Sequence, residues 1–167
     1  MRVSVIVPTL NEAGHIGSTL ERLRRDDPAE IIVVDGGSED GTPVIAEHWA
    51  RVVASARGRA VQQNVGAEAA TGDVLLFLHA DCWPELGWQK AIRRAVKREH
   101  FGAGAFQMRI EGARSLYRAI ERGGDLRVRW LGLPYGDQGI FLRRESFWNL
   151  GGFPQVALME DVLFMQR

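Results

Sequence analysis

The stretch Val74-Leu75-Leu76-Phe77-Leu78-His79-Ala80-Asp81 limits what this chain can fold into more than any other. Five apolar residues follow Thr71-Gly72-Asp73 without a polar break, then give way to a histidine and a carboxylate. An apolar run of that length behind a turn reads as a strand buried on both faces. Such strands sit in the middle of parallel sheets that carry helices on each side. Ligands of these sheets bind outside the carboxyl ends of the strands, which is where His79 and Asp81 fall. A carboxylate held there suits a hard cation or a sugar hydroxyl. The competing reading makes Asp81 the cap of a helix that begins near Pro84.

The flanking sequence repeats the pattern. Val3 to Val7 reads as a first strand, ended by Pro8, and Thr9-Leu10-Asn11-Glu12 has the spacing of a capping box. Ile16, Leu20 and Leu23 form one apolar face of the helix that follows, and Asp26-Asp27-Pro28 stops it. Ile31 to Val34 is a second buried strand ending in Asp35, and Thr42-Pro43 opens a helix that turns Ile45 and Trp49 to the core. Arg51 to Ala54 is a short third strand. A helix opening at Arg57-Gly58-Arg59-Ala60 places Val61, Val65 and Ala69 on its inner side, and another from Pro84 to about Glu99 places Trp88, Ile92, Ala95 and Val96 there. Strand and helix alternating to residue 99 predict a right-handed, mostly parallel α/β sheet.

The pattern changes after Phe101. Phe106, Met108 and Ile110 alternate with polar residues as in a strand with one wet face, and Leu116 and Ile120 mark a short helix. Ile140 to Leu142 is a further short strand, followed by a brief helix that ends at Gly151-Gly152. Met159 to Arg167 reads as the opening turns of a helix without a stop signal, so the native chain is expected to continue. The expectation is one domain over residues 1–167, with a ligand-binding half at 1–100 and an incomplete second half at 101–167.

Composition removes several classes. Acidic and basic residues balance at 21 each, which gives no sign of a general nucleic-acid-binding surface. The single Cys82 excludes an internal disulfide and a cysteine-based metal cluster. It is either a reactive thiol beside Asp81 or a small buried residue. There is no apolar run long enough to span a membrane and no signal peptide of the usual form, so the chain reads as cytoplasmic and able to touch a membrane surface.

Three strand ends point the same way: Pro8-Thr9-Leu10-Asn11-Glu12, Asp35-Gly36-Gly37-Ser38 and His79-Ala80-Asp81. A nucleotide across that edge needs a carboxylate or amide for base or ribose, donors for phosphate and a carboxylate for metal, and all are present. The first two loops lack Gly-x-Gly-x-x-Gly and Gly-Lys-Ser/Thr, which argues against a dinucleotide fold and excludes a P-loop. Arg59 at a helix start can reach phosphate, with Gln62 and Asn64 as weaker candidates on the same helix. Asp137 and Gln138, in a loop flanked by Gly136 and Gly139, can grip a sugar or simply close a tight turn. Trp88, Trp130 and Trp148 read as core, and Trp83 alone is a candidate for stacking on a sugar.

Together, Val7-Pro8-Thr9-Leu10-Asn11-Glu12, Val34-Asp35-Gly36-Gly37-Ser38-Glu39-Asp40-Gly41-Thr42 and Gly72 to Asp81 resemble inverting family 2 glycosyltransferases with the GT-A fold. Arg57-Gly58-Arg59-Ala60, Leu78-His79-Ala80-Asp81, Leu133 to Gly139 and Met159-Glu160-Asp161-Val162 resemble, more narrowly, the radical-SAM/selenodomain-associated transferase 2 subgroup, associated with arsenosugar biosynthesis. The resemblance covers essentially the whole chain. It implies a nucleotide-sugar donor, a UDP-sugar, held by Pro8, Thr9, Asn11, Glu12, Asp35, Gly37, Arg59, Asn64, His79, Ala80 and Asp81. It implies Mg²⁺ or Mn²⁺ on Asp81 against the diphosphate. Asp137 and Gln138 would meet the acceptor or the donor sugar, and the Glu160-Asp161 pair would supply the general base, Asp161 by the match. His79 stands where the family has the first Asp of its metal motif, and Gly36 where it has a second Asp that contacts the base.

The implied acceptor is a small molecule or a lipid-linked one, with no nucleic-acid partner and no transmembrane segment. A homodimer and a peripheral place at the inner membrane are compatible with it. Two other readings stay open: a nucleotidyltransferase, which would carry a glycine-rich, basic loop where Leu10-Asn11-Glu12-Ala13 stands, and a nucleotide-sugar-binding protein without turnover.

Overall fold

A computed structural model describes residues 1–107, 138–156 and 160–165. The strands are β1 Val3–Thr9, β2 Glu30–Asp35, β3 Arg51–Ala54, β4 Val74–Phe77, β5 Ala103–Ala105 and β6 Ile140–Arg143. The helices are α1 Ile16–Arg24, α2 Thr42–Glu47, α3 Arg59–Ala69, α4 Trp88–Val96, α5 Arg144–Asn149 and α6 Glu160–Met165. The strands form one sheet in the order β3-β2-β1-β4-β6-β5. The first four run parallel, and β6 and β5 add antiparallel pairs at the far side.

The order follows from how the apolar residues alternate. Val3, Val5 and Val7 point to one face of the sheet, where they pack with Ile16, Leu20 and Leu23 of α1 and Trp88, Ile92 and Val96 of α4. Ile6, Ile32, Val34, Leu75 and Phe77 point to the other face, under α3, α5 and α6. Both faces are apolar, so the strands read as unbroken hydrophobic runs. On the second face Phe77, Phe147, Phe153 and Phe164 make a ring cluster with centroids 4.8 to 5.4 Å apart.

Helices α1 and α2 lead outward from β1 to β3, and α3 then carries the chain back across β1 and β2 to the opposite side of β1. The direction of winding reverses between β1 and β4. In open α/β sheets the loops at such a reversal part to leave a crevice at the carboxyl edge.

Several local expectations are corrected. Pro8 does not end β1, which runs on to Thr9. Pairing with β4 stops at Ile6↔Phe77, so beyond it only β2 still needs a partner and the missing Pro8 N–H costs nothing on the other side. The capping box at Thr9 does not form. Thr9 is the end of a strand, α1 begins at Ile16, and Asn11 turns the chain with φ of 58°. Helix α4 starts at Trp88 rather than Pro84, after Gly87 in the left-handed region. Its first amides are capped from a distance, with Gly87 and Gln89 N–H donating to the Asp26 carboxylate at 3.1 and 2.9 Å.

The inner side of α3 is Ala60, Gln63 and Ala67 with Gln62 and Gly66, while Val61, Val65 and Ala69 are only half-buried. A methyl group at Gly66 would lie 2.4 Å from Ile6 Cγ2, so small residues win this face because the helix lies directly on β1. Trp148 is 44% exposed rather than core, since Phe147 takes the inward position on α5. The first strand of the second half is Ala103–Ala105, with Phe106 beyond its end. The alternation at Met108 and Ile110, the helix at Leu116 and Ile120, and Trp130 and Asp137 lie outside the described residues.

Candidate active site

The crevice expected at the reversal is present. A polar cleft of about 230 Å³ opens at the carboxyl edge between β1 and β4. It is lined by Pro8 and Thr9 at the end of β1, Glu12 after it, Arg59 and Gln62 of α3, and His79, Ala80 and Asp81 after β4.

The turn that presents Asp81 is pinned from three directions. Leu78 N–H donates to Ile6 O at 3.0 Å, which carries the β1–β4 pairing one residue beyond the strand. Cys82 N–H donates to His79 O at 3.2 Å and closes the turn. The hydroxyl of Thr19, fully buried on α1, donates to Ala80 O at 2.6 Å. Asp81 is left exposed in the cleft, with His79 half-buried beside it. The nearest helix does not start until Trp88, which removes the reading of Asp81 as its cap. Cys82 is half-buried and its thiol donates to Asp81 Oδ1 at 3.4 Å.

Asp35 sits at the same edge but turns inward. Its Oδ1 accepts the hydroxyls of Ser38 and Thr9 at 2.5 and 3.3 Å, and its Oδ2 accepts the amides of Gly37 and Ser38 at 2.9 Å each. Burial raises its pKa, and the bonds from Ser38, Gly37 and Thr9 together outweigh it, so the carboxyl lies below its ordinary value. Asn11 is exposed and faces this loop, taking Glu39 N–H on Oδ1 at 2.9 Å and giving its own N–H to Ser38 Oγ at 2.8 Å. The bonds of Asp35, Gly37 and Asn11 lock the first two loops together.

Asn64 and Gln138 also bond within the chain. Both ends of the Asn64 amide are occupied by the Phe153 backbone, at 2.9 Å each, so Asn64 clamps α3 to the chain after α5. Gln138 is buried just before β6, where its carbonyl accepts Phe106 N–H at 2.8 Å, and it does not line the cleft. One face of the Trp83 ring is taken by the Arg22 guanidinium, 3.8 Å from the centroid.

Gln62 has a larger part than its sequence signal. Its Nε2 donates to Thr9 O and Val34 O at 2.8 Å each, tying α3 to the ends of β1 and β2. A Cβ at residue 36 would lie 3.1 Å from this amide, so Gly36 and Gln62 share one space. Thr19 had no sequence assignment. The available signal was a hydroxyl on the apolar face of α1, three residues from Ile16, which implies a fixed buried acceptor.

Glu160 and Asp161 open α6 and are 2% and 7% exposed. Glu160 Oε1 lies 3.5 Å from Arg59 Nη1, an ion pair without a hydrogen bond. The pair joins the cleft to α6. Among the described residues no three histidine, cysteine or carboxylate side chains converge as a metal cage. Mg²⁺ and its like are commonly held by one or two carboxylates together with substrate phosphates. An exposed Asp81 in a polar cleft fits an ion of that kind.

Comparison with known proteins gives a consistent answer. The family model for glycosyl transferase family 2 matches residues 4–153. The glycosyltransferase AglE of Haloferax volcanii is 34% identical over 98 residues, 52% of this chain and 32% of AglE. Among solved structures, the mannosyltransferase PcManGT from Pyrobaculum calidifontis, in complex with GDP-Man and Mn²⁺, is similar with a TM-score of 0.77 at 27% identity. That match covers 98% of this chain and 50% of PcManGT. S. aureus TarS 1-349 in complex with UDP-GlcNAc is similar with a TM-score of 0.74 at 22% identity, covering 99% and 52% of the two chains. The chain thus spans about a third of the length of AglE and about half of each of these solved chains. The six-stranded mixed sheet with its flanking helices is the GT-A fold of these neighbours.

Proposed function

The chain belongs to glycosyl transferase family 2, and on that footing we propose that it moves a sugar from a nucleotide-diphosphate sugar to an acceptor hydroxyl, inverting the anomeric carbon. The observation that carries this reading is the cleft at the β1–β4 reversal, where an exposed Asp81 stands with Glu12, His79 and Arg59 at the edge that parallel sheets use for ligands.

In this reading the diphosphate lies between Asp81 and Arg59. Asp81 would hold Mg²⁺ or Mn²⁺, with His79 beside it, and Arg59 would face the phosphate oxygens. The bound ion supplies positive charge for the departing diphosphate. Asp161 takes the proton of the acceptor hydroxyl as its oxygen bonds to the anomeric carbon, and the diphosphate leaves with the electron pair of the broken bond. PcManGT carries GDP-Man with Mn²⁺ and TarS carries UDP-GlcNAc, which supports a nucleotide-sugar donor here. Our choice is a UDP-sugar, in keeping with the narrower subgroup that Arg57 to Ala60 and Leu78 to Asp81 resemble.

The acceptor in this reading is a small molecule or a lipid-linked one. Among the described residues no helix is long and apolar enough to cross a membrane. We place the protein in the cytoplasm, peripheral at the inner membrane where the acceptor is lipid-linked, and compatible with a homodimer. Residues 1–100 form the donor half and residues 101–167 the acceptor side of one domain.

The test is calorimetric titration with a panel of UDP- and GDP-sugars, with and without Mn²⁺, followed by measurement of nucleoside diphosphate release. Metal-dependent binding of a UDP-sugar with slow release supports the reading. Tight binding without release or transfer over a broad acceptor panel supports a binding protein instead, and no binding of any nucleotide sugar defeats both.

A further inference from the structure

Helix α3 reaches α6 by two routes. At its start, half-exposed Arg59 lines the cleft and stands 3.5 Å from Glu160, whose side chain is 2% exposed. In its middle, Asn64 holds the backbone of Phe153, and the Phe153 ring packs on Phe164 of α6 with centroids 4.8 Å apart. Glu160 Oε1 accepts no hydrogen bond among the described residues. A buried carboxylate needs its cation well placed, because the desolvation it suffers is recovered only through good geometry. Here the cation is imperfectly placed and half in water, where such pairs are weak.

We propose that Arg59 is a positioning residue whose guanidinium bridges the donor's diphosphate and Glu160, so that donor binding fixes the first turn of α6 and with it Asp161. The proposal rests on the transferase reading above. A guanidinium presents five N–H donors in a planar fork, so it can face a phosphate on one edge and a carboxylate on another. A diphosphate in the cleft also displaces water from around Arg59, which strengthens the Arg59–Glu160 attraction. The buried anion next to Asp161 thereby reports donor occupancy to the acceptor side, and the acceptor hydroxyl meets an ordered base only when a donor is in place. A lysine at this position would supply the charge but only a single point of contact.

The test is amide hydrogen exchange over Glu160–Met165, with and without saturating UDP and Mn²⁺, in the wild type and in Arg59→Met, Arg59→Lys and Glu160→Gln. Calorimetry sets the UDP concentration that saturates each variant. The proposal expects UDP to slow exchange in this segment about fivefold or more in the wild type. Arg59→Met should bind UDP more weakly and show no slowing at saturation. Arg59→Lys should regain affinity without regaining the slowing, and Glu160→Gln should bind UDP and lose the slowing. A merely structural ion pair would alter exchange with or without UDP, so the UDP-dependent increment decides. Slowing that persists in Arg59→Met or in Glu160→Gln overturns the proposal. So does a wild type that binds UDP without any slowing, which leaves the transferase reading standing. A wild type that binds no nucleoside diphosphate overturns both.

Discussion

Asp35 accepts bonds from Thr9, Gly37 and Ser38, and this ties the end of β1 to the loop after β2. Its folded pKa is lowered, as are those of Glu30 and Asp40. Glu30 owes this to Ser4 and Thr71, which outweigh its burial, and Asp40 first to Thr42 and then to the Ala13 amide. A carboxylate with a depressed folded pKa adds stability above its unfolded value and loses it as pH falls through the folded one. Urea midpoints should therefore hold steady from pH 7 to pH 5 and fall below about pH 4, near the ordinary carboxylate values. Asp35→Asn should cost about 1.5–3 kcal/mol at pH 7, the worth of hydrogen bonds to a charged group, and should flatten part of that acid limb. A variant as stable as the wild type, with the same acid limb, would show that these bonds contribute nothing net. Gly36 belongs to the same scale: the Gln62 amide occupies the space a side chain there would need.

Among the elements, α3 does most to build the cleft. It carries Arg59 and Gln62 to the edge and lies on β1 and β2 through Gly66. Gly66→Ala sets two effects against each other. Alanine favours the helix by up to about 1 kcal/mol, while the added methyl, 2.4 Å from Ile6 Cγ2, overpacks the interface at a cost of about 1–3 kcal/mol. The clash involves core atoms of β1 that cannot move aside, so a net loss of roughly 1–2 kcal/mol in urea unfolding is expected. Donor affinity should fall with it, because Gln62 and Arg59 shift together. A neutral or stabilising Gly66→Ala would mean that α3 rides freely over the sheet. The element boundaries show where sequence reading stops. The apolar faces of α1 and α4 were legible from their spacing, whereas the start of α4 was not, because its amides are capped by Asp26, far back in the chain.

At the level of the whole molecule, the four parallel strands and their shared carboxyl edge were legible because buried strands leave long apolar runs between turn residues. The cleft was legible in Pro8, Thr9, Glu12, Arg59, His79, Ala80 and Asp81, which end strands or start helices at that edge. At Asp35, Gly37, Asn11 and Asn64 the contacts within the chain were not legible, because a polar residue at an edge looks the same in sequence whether it faces a ligand or a neighbouring loop. Only the hydrogen-bond partners separate the two cases, and these lie 26 to 89 residues away for Thr9, Asn11 and Asn64. Thr19 and Gln62 act through backbone carbonyls 61 and 53 residues distant, which no local pattern reveals.

Two acids at the start of α6 are assigned different parts. Asp161→Asn should lower kcat by about 10²-fold or more with donor KM nearly unchanged, and Glu160→Gln should lower it less. Wild-type turnover in Asp161→Asn would remove Asp161 as the base.

The central claim is that a metal-bound nucleoside diphosphate sits on Asp81 at the β1–β4 reversal. Calorimetric titration of UDP with and without Mn²⁺, in the wild type and in Asp81→Asn, tests it most directly. The substitution removes charge and little volume from an exposed position, so thermal stability should not change. The account predicts that Mn²⁺ tightens UDP binding in the wild type and has no effect on Asp81→Asn. An Asp81→Asn variant that keeps the full Mn²⁺ enhancement would contradict it.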